Sequence, residues 1–477
     1  MEERKRIIQV LGTSSSAGKS TVAMALCRYF SDLGFRVSPF KSVNMSLNSI
    51  SIEGGYEIAR SQWLQAIAAR TEPVKEMNPV LLKPEGNRKS QVIVLGKSRG
   101  VMDYSEYGKF LSGEGRRLVR VALDSLLQRY EIIVAEGAGS PAEINLYERD
   151  IANIYVSSIY NTPAILVADI ERGGVFASIY GTVKLMPRSD LLKWILINRM
   201  RGSVDLLKPG IERIKELTGK EVIGIIPYTE MKLPGEDSLD YSHSRNLSGK
   251  IAVIRYPLME NYSDMDPLIL SGTGFSYISE PEQYDATNCR ALILPGSKNV
   301  ESDLSFIRKK GLDSVIFEHR RKGGIILGIC GGYQMLGREI TDQGKVQLSK
   351  ESLKGLDLLD SSTAYAQTKT VRPVRYRLAS GATDLQNSGY EIHYGNVLSN
   401  EKNLLETDMG PEGSVSRDGK VMGTNVHGIL ENSTIMQLIT GSPTAFNYFS
   451  EMEKNIDLFT KAFIENVDIE VVKRSLL

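Results

Sequence analysis

The first half of the chain alternates short, almost wholly apolar runs with longer segments of helical periodicity. The apolar runs are IIQVLG, FRVSPF, EIIVAEGAG, PAILVADI, KWILINRM and EVIGIIP. Strands that are covered on both faces show such continuous apolar runs, because neither face meets water. The pattern therefore predicts an α/β domain with a doubly wound, mostly parallel sheet, and a helix from Lys19 to about Leu33 after its first strand.

A second α/β pattern follows a polar stretch that lacks sustained periodicity and contains Pro234. Its apolar runs are KIAVIRYP, RALILPG, GGIILGICGG and KVMGTNVHG, with a hairpin-like stretch around VRYRLASG. A polar, aperiodic stretch with proline is typical of a linker. The predicted organisation is a domain over 1–228, a linker over 229–249, a second α/β domain over 250–442 and an amphipathic helical segment over 443–477.

Composition and charge exclude several classes of protein. The 477 residues are 42% hydrophobic, which is typical of a globular protein with more than one domain. The 58 basic and 57 acidic side chains leave a net charge of +1, so there is no global field to hold nucleic acid or an anionic membrane. Three cysteines cannot form a disulfide framework, and no apolar run approaches the roughly 18 to 20 residues of a membrane helix. We therefore predict a cytoplasmic protein that binds neither nucleic acid nor a membrane.

Residues 12–21, GTSSSAGKST, follow an apolar strand and open a helix, as a phosphate-binding loop does. Backbone N–H groups and the helix dipole favour a polyanion there. Five residues separate Gly12 from Gly18, one more than the usual P-loop spacing. In the general mechanism, Lys19 contacts the β and γ phosphates of ATP and Ser20 supplies a hydroxyl to Mg²⁺. The predicted nucleotide-binding residues of this loop are Gly12, Thr13, Gly18, Lys19, Ser20 and Thr21.

Two further charged residues lie at the ends of predicted strands in the first half. Lys41 ends the run SPFK, where a lysine beside bound phosphates can neutralise charge on a transferring phosphoryl group. Glu136 follows EIIVA, near the place where the metal of a P-loop protein lies. Together with the loop, these positions predict a catalytic lysine and a Mg²⁺ ligand.

Cys330 lies between an apolar strand and a helical pattern, with glycines on both sides. Small neighbours permit the strained turn of a nucleophile elbow, and a helix N-terminus favours the thiolate. A thiolate needs a base, and His427 in VMGTNVHGIL is the favoured one, with His393 in GYEIHYG as the alternative. In the loop LPGSKN, the backbone amide of Gly296 or Ser297 could stabilise an oxyanion.

Nine motifs together resemble one known family. They are GTSSSAGKS, PFKSVNMSLNS, EGAGSPAEINL, ADIERGGVFASIYGT, LPGEDSLDY, LPGSKNVESDL, GICGGYQMLG, GYEIHYG and NVHG. The second half resembles a triad-type glutamine amidotransferase domain, and the longer loop spacing is similar to that of dethiobiotin synthetase and the cobyrinic acid amidating enzymes. The chain as a whole resembles the cobyric acid synthase family.

The resemblance implies an N-terminal dethiobiotin synthetase-like P-loop domain and a C-terminal class I amidotransferase domain. It implies ATP- and glutamine-dependent amidation of the b, d, e and g carboxylates of adenosylcobyrinic acid a,c-diamide in cobalamin biosynthesis, through an acyl phosphate and ammonia from glutamine. ATP and Mg²⁺ are the implied cofactors, and a homo-oligomer is left open. By the same resemblance, Glu57 of GYEIARSQ is an expected Mg²⁺ ligand, and Asn198 and Pro227 are expected to contact the adenine.

Two positions depart from the expected motifs. Ile429 stands two residues after His427, where many triad amidotransferases have a glutamate, so we predict a Cys330 and His427 pair without an orienting carboxylate. Val43 stands in PFKSVNM where a glutamine is expected, which affects a substrate contact and not the phosphate chemistry.

Two other functions compete with this interpretation. One is cobyrinic acid a,c-diamide synthase, for which a stretch similar to EGVMGLYDG is expected where this chain has EGAGSPAEINL. The other is a nonenzymatic ATPase switch of the partitioning type with a degenerate amidotransferase module. Such switches usually carry an additional lysine near the start of the loop, where Gly12 and Thr13 stand here.

Overall fold

A computed structural model of the chain describes residues 6–86, 89–232, 250–381, 384–442 and 446–477. Most of the predicted linker, residues 233–249, lies outside these ranges. The described residues form two compact units that are each assembled from separate stretches of chain. The first unit takes residues 6–46, 58–86, 89–232 and 453–477, and the second takes 47–57, 250–381, 384–442 and 446–452.

A six-stranded parallel sheet forms the centre of the first unit. In spatial order its strands are Glu221–Pro227, Leu192–Met200, Ala164–Asp169, Ile7–Gly12, Ile132–Glu136 and Val37–Phe40. Three inner strands, Ala164–Asp169, Ile7–Gly12 and Ile132–Glu136, are almost wholly buried, which explains why their sequences are continuously apolar. Each predicted apolar run forms a strand, so the predicted parallel α/β sheet is confirmed.

Helices connect these strands, and a smaller sheet lies beside them in the chain. The helices of the first unit are Lys19–Asp32, Arg60–Ala68, Tyr104–Phe110, Arg116–Leu127, Ile154–Ile159, Val175–Leu185, Lys208–Thr218, most of Tyr448–Asn466, and Ile469–Leu476. The smaller sheet consists of Val43–Met45, Val80–Gly86, Lys89–Val94 and Lys97–Asp103. Apolar periodicity did not predict this sheet, because its outer strand, KSRGVMD, is polar and exposed.

The C-terminal helices complete the first unit although they follow the second unit in the chain. The buried guanidinium of Arg28 is ion-paired with Glu453, and its Nε lies 3.6 Å from Asp457 Oδ1. The hydroxyl of Tyr29 donates to Glu470 over 3.1 Å. None of the described helices is long and apolar enough to cross a membrane.

The second unit is also built on a six-stranded sheet. Its strands, in spatial order, are Ser276–Ile278, Ile251–Ile254, Ala291–Leu294, Ile325–Ile329, Val421–Thr424 and Ser414–Val415. All neighbours are parallel except the last pair. The predicted apolar runs of the second half form its central strands, which confirms the second α/β fold.

Other elements of the second unit bring functional residues to this sheet. A second sheet contains the strands Ser352–Lys354, Glu339–Thr341, Ser361–Leu378, Asn387–Ser399, Val426–His427, Leu405–Thr407 and Gly410–Glu412, and a two-stranded sheet pairs Met259–Glu260 with Gly296–Ser297. The helices are Asp266–Leu270, Val300–Lys309, Leu312–Arg321, Gly331–Leu336 and Ser433–Thr440, with a 3₁₀ helix at Tyr262–Met265.

Residues 47–57, which we call the 47–57 hairpin, come from the first half of the chain yet belong to the second unit. They contain the strand Ser49–Ile52 and the first half of the strand Tyr56–Ala59, and these two strands pair with each other. The chain enters and leaves this hairpin from the first unit, at Ser46 and Ile58.

Candidate active sites

The predicted phosphate loop of the first unit runs from the end of strand Ile7–Gly12 to helix Lys19–Asp32. Gly18 caps that helix with φ 101°, and a Cβ at this position would overlap the carboxamide of Asn198. Only glycine meets both conditions. Asn198 Nδ2 in turn donates to Ala17 O over 3.0 Å, so a residue expected to contact adenine also supports the loop backbone.

Glu136 is the centre of a hydrogen-bonded cluster in the first unit. Its Oε1 accepts from Ser20 Oγ and from Lys41 Nζ, both over 2.7 Å, and its Oε2 accepts from Gln65 Nε2 over 2.6 Å. Glu136, Lys41 and Gln65 are buried, and the lysine compensates the carboxylate charge. The structure thus brings three sequence-predicted residues into direct contact. Gln65 was missed, since nothing in its helix marks one glutamine as functional.

Lys19 links the phosphate loop to the turn after strand Ile132–Glu136. Its Nζ donates to Ser14 O over 2.8 Å and to Gly139 O over 3.0 Å. Thr21 Oγ1 donates to Gly18 O, and the amide of Thr13 donates to Val167 O. The ammonium of Lys19 is therefore held at the carboxyl ends of the parallel strands, where phosphate oxygens would compete for its protons.

Pro227 and Asn198 lie at the same edge of the first-unit sheet. Pro227 ends its strand opposite Met200, and Asn198 is two residues before Met200 on the neighbouring strand. Both residues therefore stand where the carboxyl ends of parallel strands form a ligand-binding edge.

The chemistry of the Glu136 cluster fits Mg²⁺. Hydroxyl and carboxylate oxygens, as in Ser20 and Glu136, are the hard donors that this ion prefers. Among the described residues, no group of three or more His, Cys, Asp and Glu side chains could enclose a metal. The remaining ligands of a Mg²⁺ ion at Ser20 and Glu136 would therefore be phosphate and water oxygens, as is usual for nucleotide-bound Mg²⁺.

Glu57, the other residue expected to bind Mg²⁺, has the contacts of a structural ion pair. It lies in the 47–57 hairpin, where its Oε2 accepts from Lys369 Nζ and its Oε1 accepts from Ser49 Oγ, both over 2.8 Å. The carboxylate and the lysine are both buried. These contacts favour a role for Glu57 in fixing the hairpin.

In the second unit, Cys330 occupies the sharp turn between strand Ile325–Ile329 and helix Gly331–Leu336. Its φ of 51° and ψ of −111° are strained for a residue with a side chain, as in a nucleophile elbow. A Cβ at Gly331 would lie only 2.7 Å from the backbone nitrogen of Ser297. Glycine therefore allows the predicted oxyanion loop to approach the residue after the thiol.

His427 lies beside Cys330 and is held by a carboxylate that the sequence analysis did not find. Its Nδ1 is 2.7 Å from Asp264 Oδ2, and Asp264 Oδ1 accepts from the Gly428 amide over 2.8 Å. The predicted pair without an orienting carboxylate is therefore wrong. The carboxylate comes from the 3₁₀ helix Tyr262–Met265, 163 positions from the histidine, and not from position 429.

The surroundings of His427 favour its cationic form. Burial alone would lower the pKa of His427, but the charge and hydrogen bond of Asp264, together with the hydrogen bond to Cys330, raise that pKa well above its ordinary value. The ring stacks on Tyr390, with centroids 5.0 Å apart and planes 16° apart. Cys330, His427 and Asp264 thus have the geometry of a nucleophile, a base and an orienting group.

His393, the alternative base, lines a cleft at Cys330 together with Lys298, Gln334 and Tyr365. Its Nε2 is 3.9 Å from Glu391 Oε1, and among the described residues neither ring nitrogen has a hydrogen-bond partner. Gln334 Oε1 accepts from the hydroxyl of Tyr365 over 3.0 Å. The buried polar groups of this cleft are suited to a small polar substrate beside the thiol.

Comparison with known proteins distinguishes between the candidate families. Residues 8–239 match the CobQ/CobB/MinD/ParA nucleotide binding domain, and residues 250–435 match the CobB/CobQ-like glutamine amidotransferase domain. A probable cobyric acid synthase of Thermoplasma acidophilum is 54% identical over 97% of this chain and 98% of its own. One of Picrophilus torridus is 56% identical over 98% of each chain. The chain belongs to the cobyric acid synthase family.

Membership of the cobyric acid synthase family extends to more distant relatives. A cobyric acid synthase of Caldanaerobacter subterraneus is 38% identical over 97% of both chains. The predicted family and the predicted pairing of a nucleotide-binding domain with an amidotransferase domain are therefore confirmed. The match over the whole length disfavours both competing functions.

Asp264→Asn should lower glutamine hydrolysis by about a hundredfold, the scale of impaired general base catalysis. A carboxamide has one acceptor oxygen, so it cannot accept from both His427 Nδ1 and the Gly428 amide as Asp264 does. Loss of the charge also lowers the pKa of His427, so the imidazolium is lost at lower pH. The alkaline limb of the pH profile of kcat/KM should therefore shift to lower pH.

Asp266→Asn, at a second buried carboxylate of the same segment, is the matched control for Asp264→Asn. Glutamate release measured across the pH range, with melting curves for both variants, checks the prediction. An unshifted alkaline limb in Asp264→Asn would show that Asp264 does not set the protonation of His427.

Proposed function

We propose that this protein makes cobyric acid by amidating the b, d, e and g carboxylates of adenosylcobyrinic acid a,c-diamide, with ATP and with ammonia from glutamine. Membership of the cobyric acid synthase family supports the reaction. The observation that carries the proposal is that one chain contains both the Lys19 and Glu136 cluster and the Cys330, His427 and Asp264 arrangement. The two groups supply two different chemistries that this reaction needs.

The first unit would activate a carboxylate, because a free carboxylate has no good leaving group for ammonia. The corrin carboxylate attacks the γ-phosphorus of ATP, the bond to the ADP oxygen breaks, and an acyl phosphate forms. Lys19 and Lys41 would bind the phosphoryl oxygens as charge moves onto ADP. Mg²⁺ held by Ser20 and Glu136 would supply further charge neutralisation. Asn198 and Pro227 would contact the adenine.

The second unit would make the ammonia. The Cys330 thiolate attacks the side-chain carbonyl of glutamine, and the imidazolium of His427 gives its proton to the departing ammonia. Water then hydrolyses the thioester and releases glutamate. The amides of Ser297 and Gly331 would stabilise the oxyanion, since the two backbones approach closely beside the thiol. Ammonia attacks the acyl phosphate, phosphate leaves, and an amide results.

His393 fits substrate binding better than base catalysis. The base role needs a partner that orients the ring. His427 has a hydrogen bond to Asp264 at 2.7 Å, whereas among the described residues His393 has only Glu391 Oε1 at 3.9 Å, beyond hydrogen-bond distance. The unpartnered ring nitrogens of His393 line the cleft, where they can bond to the charged end of glutamine. We therefore place glutamine between Cys330 and the cleft residues Lys298, Gln334 and His393.

Mass spectrometry of the corrin tests this function. Adenosylcobyrinic acid a,c-diamide is incubated with the protein, MgATP and glutamine labelled with ¹⁵N in its side-chain amide. Four carboxyl groups should become amides, each carrying one labelled nitrogen. A parallel incubation replaces the diamide with cobyrinic acid. Amidation there at only the a and c positions, with the diamide unchanged, would identify the diamide synthase instead. ATP hydrolysis with no labelled corrin in either incubation would support the partitioning-type switch.

A further inference from the structure

The loop that carries Asp264 is bound to the 47–57 hairpin by three hydrogen bonds. The amide of Asn261 donates to Leu47 O over 3.1 Å, and Ser263 Oγ donates to Asn48 Oδ1 over 2.8 Å. The amide of Ser49 donates to Asn261 Oδ1 over 3.0 Å. All of these residues belong to the second unit, and all except the half-buried Leu47 are buried.

The Ser49 amide fixes the orientation of the Asn261 carboxamide. A backbone N–H can only donate, so the atom that faces it must be the oxygen of the carboxamide. The NH₂ group then points the other way, and its nitrogen lies 3.3 Å from His427 Nε2. Asn261 holds this position with a backbone φ of 52°, a left-handed conformation that asparagine tolerates better than most residues.

This contact acts on the protonation of His427 in the direction opposite to that of Asp264. Asp264 accepts from Nδ1, so Nδ1 carries a proton and Nε2 has a lone pair in the neutral ring. The NH₂ of Asn261 donates to that lone pair, which is the same lone pair that must take the proton of Cys330. The titratable groups that face His427 are Asp264, Cys330 and the stacked Tyr390. Asp264 favours the imidazolium, and the Asn261 donor opposes it.

We propose that Asn261 is a positioning residue that opposes protonation of the glutaminase base in the resting enzyme, and that the 47–57 hairpin holds its carboxamide in the orientation that does so. This inference rests on the proposed glutaminase function. When the hairpin releases Oδ1, the carboxamide can turn and present that oxygen to Nε2–H. The same side chain then stabilises the imidazolium and thiolate pair instead of opposing it.

The chain on either side of the hairpin leads to the Glu136 cluster. Lys41 lies six positions before Leu47 and bonds to Glu136 Oε1, and Gln65 lies eight positions after Glu57 and bonds to Glu136 Oε2. Ligands that rearrange this cluster therefore act on residues joined to both ends of the hairpin by short stretches of chain. This continuity offers a route by which MgATP and corrin binding would release the glutaminase base.

Alkylation of Cys330 by iodoacetamide measures the thiolate directly and without glutamine. The rate is read by mass spectrometry of the Cys330 peptide at pH about 7 and at pH about 9.5, where the thiol ionises whether or not His427 takes its proton. The ratio of the two rates reports on the His427 equilibrium, because a change in access to the thiol alters both rates equally.

Asn261→Gly removes the carboxamide and suits the positive φ. In this variant the ratio of the alkylation rate at pH about 7 to the rate at pH about 9.5 should rise about threefold to tenfold. This factor corresponds to the loss of one hydrogen bond between uncharged groups. Ser263→Ala, which removes another bond to the hairpin without touching His427, should leave the ratio unchanged. Asn261→Ala serves as a second variant if the glycine variant does not fold.

Several results would overturn this assignment. An unchanged or lower ratio in Asn261→Gly would show that the carboxamide does not oppose protonation of His427. An equal rise of the rate ratio in Ser263→Ala would show that the higher ratio comes from weaker binding of the hairpin and not from loss of the Asn261 carboxamide. In the wild type, a Mg²⁺-bound nonhydrolysable ATP analogue together with the corrin should raise the rate ratio. No rise would exclude the hairpin as the route from ligand binding at the Glu136 cluster to His427. Absence of glutamate release by the wild type would contradict the proposed function, a separate outcome.

Discussion

Cys330→Ala should abolish amidation from glutamine and leave amidation from ammonia intact. In the proposed mechanism the thiolate serves only to release ammonia. The acyl phosphate would form at Lys19, Lys41 and Glu136 in the first unit, which the substitution leaves unchanged. Concentrated ammonium salt at pH about 8.5 contains enough free NH₃ to replace the glutaminase product. Folding should survive, since loss of one buried sulfur costs about 1 kcal/mol by analogy with small core truncations.

Labelled corrin amide formed from each nitrogen source is the measurement for this variant. Cys289→Ala is the matched control, because Cys289 is a partly buried thiol of the same unit outside the cleft. Full activity of Cys330→Ala with glutamine would remove Cys330 from the mechanism. Loss of activity with both sources, with ATP binding intact, would show that the thiol segment also supports carboxylate activation.

Lys19→Ala should lower amidation at least about a thousandfold with either nitrogen source, the scale of losing a cation that stabilises a transferring phosphoryl group. Carboxylate activation precedes the use of ammonia, so ammonium salt cannot rescue this variant. Basal glutamine hydrolysis should persist, because Cys330, His427 and Asp264 are unchanged. ADP release, corrin amidation and glutamate release, measured on one preparation, separate these steps.

Lys208→Ala provides the control for the lost charge, since Lys208 is an exposed lysine of the first unit that pairs only with Asp205 among the described residues. It should amidate normally. Near-normal amidation by Lys19→Ala with ammonium salt would mean that the phosphate loop is not where the corrin carboxylate is activated.

The sequence predicted those parts of the protein whose signal is local. Continuous apolar runs marked the central strands, and GTSSSAGKST marked the loop at which Lys19 and Ser20 stand. The strand ends likewise predicted Lys41 and Glu136 near the phosphates, and the two strands prove to be neighbours in the sheet, which brings these side chains into contact. In each case a short stretch of residues and a fixed periodicity determined the placement.

The missed features depend on tertiary contacts with no local signal. Asp264 lies in the stretch NYSDMDPL, and only the packing of a 3₁₀ helix against a strand far along the chain makes it the partner of His427. Gln65 is one of two glutamines in its helix. The 47–57 hairpin alternates apolar and polar residues as many hairpins do, and this pattern does not indicate which unit the hairpin packs against.

The interleaving of the two units constrains how such a gene can be divided. A break within residues 233–249 would separate the 47–57 hairpin from the loop at Asn261, and the helix containing Glu453 and Asp457 from Arg28. A buried guanidinium without its acidic partners is strongly destabilising. Gene fission at the predicted linker would therefore leave each product incomplete, so the two products would have to associate to complete both units.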